Sequence, residues 1–287
     1  MLAMNPFNFS GHETFPCRQY WLKKGYDFIA TKKDFNAPDA VVELGVGNNM
    51  VRSIRYWLRA FDLVNNNNEL TALARRLFSD EGWDPFLEDT ATLWLLQYKL
   101  HKRRYASIYH IIFSELRKHK PEFTRKHFFS FLANEKGNFT ERTLRDDFSV
   151  FSRTYLNDSS KDVEDGYSGL LSDLNLLREY KRQKDVVYNI ENKEQSDIPA
   201  EIILYSILDN ELYGNSISFD NLYLDEDGPG TIFALNKEGL LEQLERIAKL
   251  YPKNIVFNND PLIRQIQFKG DKIRPLEVLE DYYAKSA

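Results

Sequence analysis

The 287-residue chain carries 38 Lys and Arg against 43 Asp and Glu, a formal net charge of −5, and is 43% hydrophobic and 28% charged. That balance excludes a disordered polyelectrolyte, and no apolar run approaches the roughly twenty residues that a bilayer crossing needs. Cys17 is the single cysteine, which excludes an intrachain disulfide framework and a thiolate metal cage. It fits a reducing cytoplasm, as does an N-terminus with neither the basic start nor the apolar stretch of a signal peptide.

The length suits two or three modules. The chain opens with "NFSGHETFPCRQYWLKKGYDF", residues 8 to 28, in which a His-Glu pair and an arginine sit among aromatics. Two readings stand side by side. His12 as acid or base, Glu13 as base or metal ligand and Arg18 as phosphate-neutralising cation form a candidate catalytic set for phosphodiester cleavage. Alternatively Ser10 or Thr14 caps a helix beginning near Phe15, with Glu13 at its N-terminal dipole and Pro16 in an early helical position.

The next stretch, "VVELGVGNNMVRSIRYWLRAFDLVNNNNELTALARRLF", predicts a short helix, a tight turn at Gly45 and Gly47, and a second helix capped by Asn48 or Asn49. Met50, Val51, Ile54, Trp57, Leu58 and Phe61 recur at helical spacing and make its apolar face. Arg52, Arg55, Tyr56 and Arg59 make the opposite face. An Asn-rich turn, a short extended "ELT" and another helix follow, the plan of a winged helix-turn-helix. Such a helix fits the major groove, where arginines grip guanine or phosphate. The plain alternative is a solvated face within a helical bundle.

Near residue 82 "GWDP" breaks the chain before a helix "TATLWLLQYKL". Asp84 ahead of Pro85 predicts its N-cap; Asp84, Glu88 and Asp89 as oxygen ligands for a cation is the weaker reading. From Lys99 to Lys126 nine Lys and Arg face two Glu, so a near-neutral total hides a basic front half. Aromatics interleaved there could stack on bases, although Tyr109, Ile112 and Leu116 fit an inward stripe. The four histidines after His12 read as scattered surface residues. "HFFSFLANEKGNFTERTLRDDFSVFSRTYL" repeats the helix–turn–helix plan, with a turn at Gly137 and Asn138, an inward stripe of Leu144, Phe148, Phe151 and Tyr155, and an outer face of Arg142, Arg145, Asp146 and Arg153.

"ENKEQSDIP" reads as a linker. Beyond it come a helix "IPAEIILYSILDN", β-like "SISF" and "TIFAL", a helix "KEGLLEQLERIAKLYP", and strands "NIVFNN" and "IRQIQF". This winged-helix-like part is acidic, which suits a protein partner. The predicted fold class is mainly α with small β-hairpin wings (α+β), with tandem winged helix-turn-helix modules: a winged helix-turn-helix with the GHETF segment at 1–85, a central helical, basic region that could form a second helix-turn-helix at 86–190, and an acidic winged-helix-like module at 191–287.

"FxGHETFxxRxxWLKKGYDF", with "ELGVGNNMVRSIRYWL", "LT" and "DPFLEDTATLWLLQYKL", resembles a bacterial family of unknown function found beside genes for DNA phosphorothioation and phage defence, one member of which is regarded as a DNA-nicking subunit. The likeness is strongest from Phe9 to Tyr98. Where the family turn often reads "GVGKNMV", this chain has Asn48, one cation fewer at the expected phosphate contact. The resemblance implies a DNA-binding component of such a system, with double-stranded DNA and other defence proteins as partners and nicking as an accompanying activity.

On this reading Asn48, Asn49, Arg52, Arg55, Tyr56, Arg59, Arg142 and Arg145 contact nucleic acid. No cofactor motif is present, since "GVGNNM" lacks the Gly-Lys-Ser/Thr ending of a nucleotide phosphate loop; nicking would call for Mg or Mn. The symmetry habit of helix-turn-helix proteins predicts a homodimer, and no membrane is implied. The rival function is a non-enzymatic transcription regulator or assembly adaptor.

Overall fold

A computed structural model describes residues 7–134, 139–156, 169–260, 262–271 and 273–286. The turn expected at Gly137 and Asn138 lies outside the described residues. The chain divides into two compact units, Met1–Ile190 and Glu191–Ala287. The fold is α+β, helices with two small antiparallel sheets of three strands each. No helix among the described residues is long and apolar enough to cross a membrane.

In the first unit α1 (Trp21–Ala30), α2 (Ala40–Leu44), α3 (Asn48–Ala60) and α4 (Ala72–Phe78) come first. Gly45 ends α2 at φ 60°, a left-handed cap that a Cβ would disfavour. The following helix starts one residue earlier than its asparagines suggested. Gly47 is the N-cap of α3, without a side-chain cap bond, so Asn48 and Asn49 are first-turn residues rather than caps. The predicted apolar face is where the core lies, with Val51, Ile54, Trp57, Leu58 and Phe61 buried. A Val64–Leu70 bridge closes the Asn-rich hairpin before α4, whose N-cap Thr71 accepts from the Ala74 N–H at 3.2 Å.

Asp84 does not cap the next helix. Its carboxylate accepts from the Glu88 and Asp89 N–H groups at 2.8 and 3.1 Å, shaping the preceding turn, while Asp89 caps α5 (Thr90–Arg103) through the Ala91 N–H at 2.8 Å. Two backbone N–H bonds give this buried carboxylate a structural task. After α5, α6 (Ser107–His110) runs through a π-helical stretch, Ile111–Leu116, into α7 (Arg117–His119). Its predicted stripe is buried: Tyr109 packs on Trp57 at 6.2 Å and bonds Thr154 Oγ1 at 2.8 Å. Contacts such as Trp57 on Tyr109 bring residues from both sides of residue 85 together.

The strand β1 (Glu122–Phe123), helices α8 (Arg125–Asn134) and α9 (Glu141–Tyr155), and a hairpin β2 (Arg178–Arg182) to β3 (Asp185–Asn189) complete this unit, with sheet order β1-β3-β2. Leu144, Phe148, Phe151 and Tyr155 of α9 are buried as their spacing required. The hairpin had no counterpart in the sequence pattern, because "REYKRQKD" offers charges where alternating apolar residues mark a strand.

The second unit runs α10 (Ala200–Leu208), β4 (Ser216–Ser218), α11 (Phe219–Leu224), α12 (Pro229–Ile232), α13 (Lys237–Leu250), β5 (Ile255–Asp260), β6 (Ile263–Phe268) and α14 (Pro275–Ser286), with sheet order β4-β6-β5. "SISF", "NIVFNN" and "IRQIQF" form strands as predicted. "TIFAL" does not: Thr231 and Ile232 belong to α12, and only Leu235 bridges, in parallel, to Lys193. That bridge also pins part of the expected linker to this unit, with the Lys193 N–H bonded to the Ala234 carbonyl at 2.9 Å.

Candidate functional site

The GHETF segment is an irregular loop, not a helix start. Ser10, Gly11, Glu13 and Thr14 take positive φ values of 69°, 92°, 50° and 64°, and the first helix begins only at Trp21. Neither Ser10 nor Thr14 therefore caps a helix at Phe15, and Pro16 is not helical. Four residues in a sparsely populated region persist only where surrounding contacts over-determine them. Those contacts come from two helices.

From α9, buried Asp147 accepts the Ser10 N–H on both oxygens at 3.1 and 2.9 Å and lies 3.2 Å from His12 Nε2. That last approach is close but angled, and Nε2 makes no well-directed hydrogen bond. On the other side of the ring His12 Nδ1 accepts the Thr14 N–H at 3.1 Å. The ring thus accepts at Nδ1 from its own loop and turns its Nε2 side to Asp147. Arg153 of α9 adds a 2.6 Å bond to the Thr14 carbonyl. From α3, Trp57 Nε1–H donates to the Phe15 carbonyl at 3.1 Å, and Arg52 sits 3.8 Å from Glu13.

Tyr56 is a correction to the sequence pattern. It is buried, edge-on to His12 at 5.6 Å and beside Tyr105 at 5.2 Å, rather than on the outer face with the arginines. Its neighbours Ser53 and Ala60 on the same side of α3 are also fully buried, so the inward arc of this helix is wider than its large apolar residues suggested. A Cβ on Gly11 would stand 2.9 Å from Tyr56 Cδ2, which explains why glycine faces this ring. The Tyr56 hydroxyl has no hydrogen-bond partner among the described residues. Burial, and then the Asp147 charge, push its pKa well above the ordinary tyrosine value.

The arginines of α3 are placed differently. Arg52 is exposed, whereas Arg55 and Arg59 are half-buried. Arg59 donates from Nε and Nη2 to Asn68 Oδ1 at 3.0 and 2.7 Å; Arg55 reaches Asn36 Oδ1 at 2.9 Å and Asn68 Oδ1 at 3.4 Å. These partners are neutral amides, and neither guanidinium makes an ion pair among the described residues. Asn48 and Asn49 stand exposed in the first turn. On α9, Arg142 and Arg145 are exposed and lie 3.9 and 3.8 Å from Asp146, distances at which exposed pairs contribute little. Arg18 lies over the Trp21 ring at 5.3 Å.

Asp147 went unnoticed in the sequence. Its signal was present: a carboxylate within the apolar stripe between Leu144 and Phe151 has to find a buried polar partner. Two histidines also depart from expectation. His101 and His110 are buried, with His110 Nδ1 3.1 Å from His101 Nε2.

Fold and site define an α+β protein in which an irregular, His-bearing loop is fastened between an arginine-faced helix and a second amphipathic helix. The chain belongs to the family described as "Protein of unknown function (DUF4007)", which matches residues 9–283. Its structure is similar to "Magnesium ion-bound SspB crystal structure", at TM-score 0.84 and 26% identity, covering 96% of this chain and 88% of that one. "SspB crystal structure" is similar at TM-score 0.83, 26% identity and the same coverage. No curated protein matches the chain.

Proposed function

We propose that this protein is the DNA-binding component of a DNA phosphorothioation or related phage-defence system. The observation that carries the reading is the outer side of α3, where Arg55 and Arg59 are oriented by the amides of Asn36 and Asn68 while their charge is left uncompensated. Guanidinium groups held in position without a carboxylate are suited to phosphate oxygens, which supply the missing counter-charge. Similarity to SspB over nearly the whole chain supports the assignment to such a system.

Double-stranded DNA is the substrate, and the other proteins of the system are the partners. The helix–glycine turn–helix of α2 and α3 with its short hairpin supports a winged-helix reading of this region. So does the helix–strand–helices–strand–strand order of the second unit, with strand order β4-β6-β5.

Binding is tested by titrating duplex DNA across salt concentrations. Arg52→Ala/Arg55→Ala should weaken affinity and flatten the slope of log K against log salt by about two units. An unchanged slope removes α3 from the interface. It would also favour an adaptor that docks on protein.

Strand nicking is a second reading, favoured by likeness to a magnesium-bound structure. In it Glu13, partly exposed beside Arg52, meets a cation or the attacking water, and Arg18 meets phosphate. His12, with both ring nitrogens turned to protein atoms, holds the loop. Supercoiled plasmid with Mg or Mn should be relaxed by the protein and not by Glu13→Gln; relaxation persisting in that variant rules this centre out.

A further inference from the structure

Away from the GHETF loop, a cleft of about 300 Å3 opens between the start of α8, the outer side of α9 and the β2–β3 hairpin. That size is at the small end of ligand-binding cavities. Three cations line it, Arg125, Lys126 and Lys184, against one acid, Asp185. Lys126 lies 3.5 Å from Asp185 with both side chains largely in water, a weak pairing. Arg125 and Lys184 make no ion pair among the described residues. Like charges gathered without a counter-charge cost stability, and an anion in the cleft reverses the sign of that term.

The backbone fixes this gathering. Strand register sets Arg182 opposite Asp185, and the turn through Gln183 at φ 57° carries Lys184 to the hairpin tip. The floor is firm: Tyr188 stacks on Phe123 at 6.1 Å and meets Phe148 edge-on at 5.1 Å. Burial, then the charge of Glu179 and the hydrogen bond to it, raise the Tyr188 pKa, so the phenol is held as part of this floor.

A line of polar side chains continues from the cleft along α9. Arg142, Arg145, Ser149 and Ser152 follow one another at three- and four-residue spacing, so they share a stripe of α9, and Ser149 and Ser152 line the cleft itself. By helical rise this stripe is about 15 Å long, the axial rise of roughly four base pairs of a duplex at about 3.4 Å each. A pocket made for a small phosphate compound would have no use for a cationic path leading out of it.

We propose that this cleft is a second seat for the DNA backbone, holding a phosphodiester between Arg125 and Lys184, and that the α9 stripe carries the strand onward past Arg145 and Arg142. The inference rests on the DNA-binding reading above and adds a contact that the α3 arginines do not supply. It also gives the charged hairpin a purpose: it is the backbone-gripping arm of the first unit.

The test uses the full-length protein and fluorescent duplex DNA over a salt series, comparing wild type, Arg125→Gln/Lys184→Gln, the charge-preserving Arg125→Lys/Lys184→Arg, and Arg52→Ala/Arg55→Ala. The glutamine pair should flatten the salt slope by about two units and the charge-preserving pair should restore it. A slope unchanged in the glutamine pair but flattened in Arg52→Ala/Arg55→Ala overturns the second seat and leaves the DNA-binding reading in place. Absence of salt-dependent binding by wild type overturns both. A parallel arm measures amine acylation of Lys184: protection by duplex DNA supports the proposal. Protection by pyrophosphate alone places a small phosphate compound in the cleft and overturns the DNA occupant.

Discussion

At the GHETF loop polar groups turn inward: the Asp147 carboxylate takes the Ser10 N–H, His12 is enclosed between Thr14 and Asp147, and Tyr56 closes the side. On the outer side of α3, Arg55 and Arg59, which flank Tyr56 in sequence, are steadied by asparagines and keep their charge for solvent. Both regions are made of the residue types that sequence inspection associates with chemistry. The difference teaches that polar residues enclosed by backbone groups hold shape, whereas oriented charges without counter-charge are available to a ligand. Mutations should accordingly damage stability at the first and binding at the second.

The largest effect should come from Gly11→Ala. The residue sits at φ 92° and its new Cβ would meet Tyr56 at 2.9 Å, so strain and overpacking together should cost about 2–4 kcal/mol, read as a lower urea midpoint. A midpoint equal to wild type would mean that the loop is not pressed against Tyr56.

Tyr56→Phe comes next and has the opposite sign. The buried hydroxyl lacks a hydrogen-bond partner among the described residues, so deleting it should be neutral or stabilise by up to about 1 kcal/mol. Alkaline behaviour sharpens this. The phenol pKa is raised in the folded protein, so above pH ~10 the unfolded chain has released this proton while the native one has not, and stability falls as pH rises. Tyr56→Phe should make that fall shallower by about 1.4 kcal/mol per pH unit; an unchanged alkaline slope would show that the ring is open to water.

The smallest stability effect belongs to the arginine face. Each of Arg52→Ala and Arg55→Ala should shift stability by no more than about 0.5 kcal/mol while the pair lowers DNA affinity. A large thermal shift would instead make these side chains structural, and the contrast between the two regions would disappear.

The helices were legible where apolar spacing was regular, as in Ile54, Trp57 and Phe61 of α3 or Leu144, Phe148 and Phe151 of α9, because a 3.6-residue period leaves one face to bury. The β2–β3 hairpin was not, since its exposed charges carry no alternating signal and its pairing is made by backbone groups. At the site, the arginine face was readable as a set of cations. What the sequence concealed was the burial of Tyr56 and the pairing of His12 with Asp147, residues 135 positions apart by their numbers.

Local spacing and composition were enough to mark which helical faces are apolar, where glycine permits the turn before α3, and that the front half is rich in cations. That GHETF is a loop rather than a capped helix, that Tyr56 faces His12, and that Arg125 and Lys184 share a cleft emerge once distant segments pack together. Long-range hydrogen bonds and packing set those outcomes, and no local pattern encodes which distant group will satisfy a buried donor or leave a charge uncompensated.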